Sequence, residues 1–206
     1  ISGETTDSIL SGFTIQDGSA FEGAGVLLRN ASATLIDCLI KDNQTSGSGA
    51  GLFAESSNVI LKNVIVSSNN SSASGGGAYF KFCEGSFTDC IFRNNSAANG
   101  GAMYFKDSSG DFLISNSQLE FNAAILSGGS SFNNETNLII QDCSFSGNMA
   151  NQGGALFSYG GGNATISNSL FSNNGASITG GAAEVRSSSV VSFVQCTFDA
   201  NIADID

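Results

Sequence analysis

The chain has 206 residues, with 18 acidic side chains against seven basic ones, a formal net charge of −11, and no His, Pro or Trp. That balance argues against a nucleic-acid partner, whose phosphates call for a basic stripe, and disfavours an anionic membrane surface. Without His, and with its cysteines far apart, the chain offers no soft-metal site. No metal or cofactor is expected, and no apolar stretch is long enough to cross a bilayer.

Taken from its start, the chain writes the same apolar and polar pattern again and again. Leu10 leads a column that continues through Leu35, Leu61, Phe87, Ile114, Ile140, Ile166 and Phe193. Three residues after each of the later members comes Cys38, Val64, Cys90, Ser117, Cys143, Ser169 or Cys196. Two residues on stand Ile40, Val66, Phe92, Leu119, Phe145, Phe171 and Phe198, and three after those Asn43, Asn69, Asn95, Asn122, Asn148, Asn174 and Asn201. Gly18 holds the Asn slot at the front. A small-residue cluster then comes in each repeat: GAGL from Gly49, GGAY from Gly76, GGAM from Gly100, GGSS from Gly128, GGAL from Gly153 and GGAA from Gly180. A fixed period of about 26 residues marks a stacked repeat.

Short period-two alternations precede each Asn and recur after each glycine pair, and no run carries helical spacing over enough turns. Three strands of about three to five residues plus turns fill one repeat, so the expected fold is all-β. It is a right-handed, three-faced parallel β-helix of about eight coils, roughly 38 Å long at the strand spacing. Equivalent residues of successive coils touch, so each column keeps one kind of shape. The Asn amide donates to one neighbouring coil and accepts from the other, and Asn tolerates the left-handed backbone of a sharp corner. The glycines let the chain bend beside the bulkier columns.

Asp37, Asn63, Asp89, Asn116, Asp142, Asn168 and Gln195 form a further column in which acid and amide largely alternate. Alternation doubles the separation between like charges, and it makes a pair of coils a second candidate unit. Four of the cysteines lie two coils apart, beyond disulfide reach, and read as buried reduced thiols. Whether Cys83 pairs with Cys90 is left open by the sequence. Periodicity over residues 1–206 makes one solenoid, read as a segment of a longer protein with both ends uncapped. Glycosylation triplets occur at seven asparagines. Asn43 and Asn69 belong to the ladder, whereas Asn30, Asn134 and Asn163 fall in expected turns and are the candidate acceptors.

The Phe-x-x-Asn copies at Phe92, Phe145, Phe171 and Phe198 and the GGA clusters at Gly76, Gly100, Gly153 and Gly180 resemble the passenger repeats of chlamydial polymorphic membrane proteins. These belong to the pectin-lyase-like superfamily of right-handed parallel β-helices. The resemblance covers essentially the whole chain and implies a cell-surface rod used for adhesion. GGSS at Gly128, GAGL at Gly49, and Ile40, Val66 and Leu119 in place of Phe depart from that pattern.

Catalysis on a polysaccharide would need carboxylates converging on one exposed face. Here Asp107 and Asp111 share a turn, Glu84 sits in another, and Asp37, Asp89 and Asp142 form a ladder explained by stacking. Asp7, Asp204 and Asp206 supply only pairs for calcium. The function expected is therefore non-catalytic: an extracellular or surface rod whose turns, Gln44 to Ser48, Asn70 to Gly75, Ala123 to Ser127 and Gly175 to Thr179, serve adhesion or recognition. A spacer or architectural subunit is the alternative, and a polysaccharide lyase or hydrolase the third reading. Expected partners are the rest of the same chain, a host or surface protein or glycan, and neighbouring subunits. Phe21 and Tyr159 are the aromatic residues placed to meet a ligand. Ile114 belongs to the interior, and Glu120 to the polar side.

Overall fold

The computed structural model describes residues 8–204. Every regular element among them is a short strand, and every strand pairing is parallel, which produces a solenoid of about eight coils. One coil, the fifth, shows the plan: strands Asp111–Ser115, Gln118–Glu120, Ala123–Ser127 and Ser131–Asn134, each continuing one of four sheets. Three sheets hold eight strands and the fourth holds seven.

Four strands per coil replace the three expected. The segments after each Asn, read from sequence as turns, contain the strands of the third sheet: Gln44–Thr45, Asn70–Ser71, Ala123–Ser127 and Gly175–Thr179. Only two to five residues long and rich in Ser, Ala and Gly, they carry too little apolar alternation to announce themselves.

Each full coil turns four corners, and most corners are made by one residue with left-handed φ, the exceptions being the pairs Gly160–Gly161 and Ser187–Ser188. Between the first and second sheets it is Gly12 or the column of Asp37, Asn63, Asp89, Asn116, Asp142, Asn168 and Gln195, with φ of 49–56° in those seven. This conformation accounts for the Asp and Asn preference directly, since their short polar side chains tolerate it best. Charge spacing is secondary. One acid–amide contact accompanies it, from Asn63 Nδ2 to Asp37 Oδ1 at 2.7 Å.

At the second corner the left-handed residue is the one before each ladder Asn: Asp42, Ser68, Asn94, Phe121, Gly147, Asn173 and Ala200. The ladder Asn itself is not left-handed, contrary to expectation, because its side chain must point inward. The third corner uses Gly23, Gly49, Gly75, Gly100, Gly128, Gly153 and Gly180. The next glycine is required for a different reason: a Cβ on Gly154 would lie 2.1 Å from Gly181 O and 2.5 Å from Gly175 O.

The interior is the stack of columns. Phe87, Ile114, Ile140 and Ile166 are paired in register on the first sheet and buried. Val66, Phe92, Leu119, Phe145 and Phe171 repeat this on the second. Glu120 lies on the outward side of that sheet, beside Arg93 in register and only partly covered.

Inside the second corner runs the asparagine ladder. Asn122 Nδ2 donates to Asn148 Oδ1 at 3.0 Å and to Phe92 O at 2.9 Å, while its Oδ1 accepts from Asn95 N and Asn95 Nδ2, both at 3.0 Å. The same four bonds repeat at Asn69, Asn95, Asn148 and Asn174. Gly18 N enters the ladder at Asn43 Oδ1, and Asn201, the last rung among the described residues, places Nδ2 on Phe171 O. Every amide hydrogen and carbonyl lone pair that water cannot reach is thus used.

The cysteines are all free thiols, Cys83 and Cys90 included. Cys90 Sγ donates to Thr88 O and Cys143 Sγ to Gln141 O, the carbonyl two residues back. Ser117 and Ser169 do the same with their hydroxyls, and also accept the N–H of Cys90 and Cys143 from the preceding coil. From Cys90 onward Cys and Ser alternate, each Ser hydroxyl answering the amide of the Cys in the coil before it.

Candidate functional site

With the interior given over to stacked side-chain columns, surface available to a partner lies at the outward positions and the corners. The third sheet differs most from a bland polar face. Its outward column runs Ser96, Ala123, Met149, Gly175 and Ile202 in register, and the column behind it, Ala97, Ala124, Ala150 and Ala176, is small and buried. Register shifts after Ala97, Ala123 and Ala150 make the strand ends bulge, a common way of re-aiming side chains.

Small residues between bulges leave depressions. One of about 580 Å³ is bounded by Met149, Asn151, Ser177, Ile202 and Asp204. A second of about 410 Å³ is bounded by Asn70, Ser72, Ser96 and Ile125, and the two share Ala123 and Ala124. Large apolar side chains stand exposed along this groove: Ile125 at 70%, Met149 at 55% and Ile202 at 61%, with Leu126 and Ile178 beside them.

At the corner leading into the groove, Phe121 is 62% exposed with φ of 52°. Its ring covers Gly147, where an added Cβ would come within 2.6 Å of Phe121 Cδ1. Other coils put Asp, Ser, Asn, Gly or Ala in this slot. A bulky left-handed residue is unfavourable, and so is an exposed phenyl ring, so Phe121 is doubly out of place as a folding element.

The fourth face carries a different feature. Phe53, Tyr79, Tyr104, Phe132 and Phe157 point outward and stack ring on ring, with centroids 4.6–5.2 Å apart. Arg29 lies 5.5 Å over Phe53 and Arg186 5.9 Å over Phe157, closing both ends by cation–π contact. Arg29 is held by Glu22 and Glu55, Lys81 by Glu55 at 2.9 Å, and Arg186 by Glu184. Burial between neighbouring rings, then Tyr104, then Asp107 push the Tyr79 hydroxyl well above its ordinary value. Self-covered in this way, the ladder stiffens the rod and offers little edge to a ligand.

A smaller depression of about 300 Å³ lies between the fourth and first sheets, lined by Ser56, Asn58, Phe82, Glu84 and Ser109. Phe82 is also exposed and left-handed, and Lys81 Nζ sits 4.8 Å over its ring. Asn58 Nδ2 donates to Glu84 Oε1 at 3.0 Å.

Of the residues singled out from sequence, Phe21 and Tyr159 are exposed and not core. Asn30 is the exposed left-handed residue of its corner, but Asn134 ends a strand and Asn163 opens one, so neither lies in the expected turn. Asn43 and Asn69 are buried in the ladder, whereas Asn70 and Asn94, whose triplets the sequence does not favour, are exposed. Asp37, Asp89 and Asp142 occupy three corners two coils apart, each at least partly open to solvent. Asp7 and Asp206 lie outside the described residues. Among the described residues no three acidic or Cys side chains converge as a metal set. Burial raises the Cys90 and Cys143 thiols to about 11, which removes them as nucleophiles near neutrality. Sequence reasoning placed Ile125 in a recognition segment, Ala123 to Ser127, but missed Phe82, Phe121 and Met149. Each could have been noticed only by asking which residue breaks its column.

A search of curated proteins finds no match. A family model described as the right-handed β-helix region matches residues 1–119 and 101–204. With that match over a parallel four-sheet solenoid, the chain belongs to the right-handed β-helix family.

Proposed function

We propose that the chain is a non-catalytic, extracellular or cell-surface β-helical rod that acts in adhesion or recognition. The sequence resemblance to polymorphic membrane protein repeats supports this reading. Recognition is assigned to the third face and its corner; the segments expected as recognition turns contain the strands of that face. The carrying observation is the apolar row of Phe121, Ile125, Met149 and Ile202, exposed beside a groove floored by alanine. Contiguous exposed apolar surface marks interaction sites, and proteins and glycans are the partner classes it suits. The separation of the acidic corners supports a non-catalytic role over a lyase or hydrolase. The stacked, Arg-capped aromatic ladder favours the architectural reading of a stiff spacer packed against neighbouring subunits. If the protein passes through a eukaryotic secretory pathway, Asn30, Asn134 and Asn163 are joined by Asn70 and Asn94 as acceptors open to solvent.

The test is binding of the labelled chain to cells and to arrays of surface proteins and glycans, comparing wild type with Phe121→Asn and Met149→Glu. The proposal expects Phe121→Asn to raise the melting temperature, by relieving the left-handed strain, while both variants lose binding at least tenfold. Binding unaffected by either variant would remove the third face from consideration. Release of unsaturated or reducing sugars from acidic polysaccharides would overturn the non-catalytic reading.

A further inference from the structure

The GGSS motif replaces apolar core positions with hydroxyls and leaves polar atoms stranded in the interior. Along the fourth sheet, Ser131 takes the slot held by Met103 in the coil before and Leu156 in the coil after. Asn133 takes the slot of Phe105, next to Ser158. Ser130, Ser131 and Asn133 are all buried, at 0, 1 and 0% exposure. Asn133 Nδ2 is satisfied by Thr136 O at 3.0 Å and Asn163 O at 3.3 Å, and Ser158 Oγ donates to Gly162 O. Asn133 Oδ1, Ser130 Oγ and Ser131 Oγ have no hydrogen-bond partner in the protein.

Three orphaned polar atoms within four residues is not a tolerable native arrangement, since buried polar groups are almost always paired. Their chemistry is complementary. The two hydroxyls need an acceptor, and the Asn133 carbonyl oxygen needs a donor. Ser131 lacks two side-chain heavy atoms relative to Met103 or Leu156. That leaves room for a molecule whose share of liquid volume is about 30 Å³. Ser131 and Asn133 lie on the same side of the strand, roughly 6.6 Å apart along it, a separation their side chains can reduce to a two-bond bridge. An alkali ion would meet the oxygens but bring uncompensated charge among Met103, Phe105 and Leu156, which is costly.

We propose that the solenoid encloses an ordered water between its fifth and sixth coils. It accepts from the Ser131 hydroxyl and donates to Asn133 Oδ1, and the Ser130 hydroxyl feeds the same site. The water is the structural partner of the GGSS departure. Because it exchanges only when the coils part, its exchange reports local opening of the rod at this turn.

A crystal structure fine enough to show solvent tests the wild-type chain directly. The expected result is one density peak within hydrogen-bond distance of both Ser131 Oγ and Asn133 Oδ1. Dry density, or a peak that vanishes when alkali salts are replaced by choline chloride, overturns the proposal. Melting of Ser131→Ala, Asn133→Leu and the double variant gives a second readout. A shared water predicts that Ser131→Ala lowers the melting temperature by about 2–4 °C, and that the double variant loses less than the two singles combined. If Ser131→Ala instead melts higher than wild type, the hydroxyl was unpaired and the site is dry.

Discussion

Replacing Asn122 by Ala removes four hydrogen bonds at once: two accepted by Oδ1 from Asn95, and two donated by Nδ2, to Phe92 O and Asn148 Oδ1. The partners are not equally harmed. Asn148 Oδ1 keeps the Asn122 backbone N–H, and Asn95 Nδ2 keeps Val66 O. The Asn95 backbone N–H loses its side-chain acceptor in a site without water. At about 1 kcal/mol per bond, plus about 1–3 kcal/mol for the orphaned N–H, the loss is about 5–7 kcal/mol. For a chain of this size that corresponds to a fall of roughly 10–20 °C in melting temperature. Asn122→Asp separates the two halves of the amide, since it keeps the acceptor oxygen but turns a second oxygen toward Asn148 Oδ1 and Phe92 O. It should cost at least as much. Asn201→Ala, at the half-covered end of the ladder, loses only three such bonds and should cost less than half. Hydrogen exchange resolved by coil is the assay, because a solenoid opens locally. A fall of less than about 2 °C for Asn122→Ala, or equal losses at Asn122 and Asn201, would refute the view that the ladder holds the second corner together.

The corners, the core and the thiols each carry a prediction of their own. Gly154→Ala should cost about 3 kcal/mol, the upper end for overpacking, because its Cβ meets two backbone oxygens that cannot swing away; denaturant unfolding measures it. Ile114→Asp, at 1% exposure in the first-sheet column, should open the fifth coil and expose its amides to exchange, while Glu120→Lys leaves the melt within about 2 °C. The Cys90 and Cys143 thiols are pushed by burial to about 11 in the folded chain, above the ordinary thiol value of 9.0. A raised thiol pKa means the folded state holds its proton longer, so stability is unaffected below pH 9 and declines between about pH 9 and 11. The contribution lost is on the order of 3 kcal/mol per thiol. Cys90→Ser/Cys143→Ser should flatten that decline, as read by urea midpoints against pH.

The repeat, its strand count to within one, and the interior columns were legible because stacking forces like residues into register. Phe92, Phe145 and Phe171 must resemble one another since each belongs to one unbroken stack. The third sheet escaped notice for the opposite reason: Ser96, Ala123 and Gly175 face outward from short strands, where no neighbour constrains them. The Asp37 column was visible as a pattern, but its cause is backbone conformation, which charge spacing imitates. Asn134 and Asn163 looked like turn residues because the corner between strands there needs only Glu135 or a glycine pair. Segments that line the groove were named from sequence as recognition turns, Asn70 to Gly75, Ala123 to Ser127 and Gly175 to Thr179, but its shape could not be read, since it is made of what small residues fail to fill.

That asymmetry gives a rule for separating folding from function in this molecule. A column obeyed in every coil is explained by its contacts and says nothing of a partner. A column broken without local compensation needs an outside cause. Ser131 and Asn133 break an interior column, and the complementarity of their orphaned atoms points inward, to a buried water. Phe121 breaks an exterior one: at its corner a left-handed Asn would fold better, and the ring gains only the cover of Gly147. Met149 and Ile202 stand outward in the same sheet where Ser96 and Gly175 would suffice. Since exposed apolar side chains contribute little to stability before they are buried, what they add is realised only when something covers them. The third face is therefore where a binding partner would recover free energy that folding leaves unclaimed.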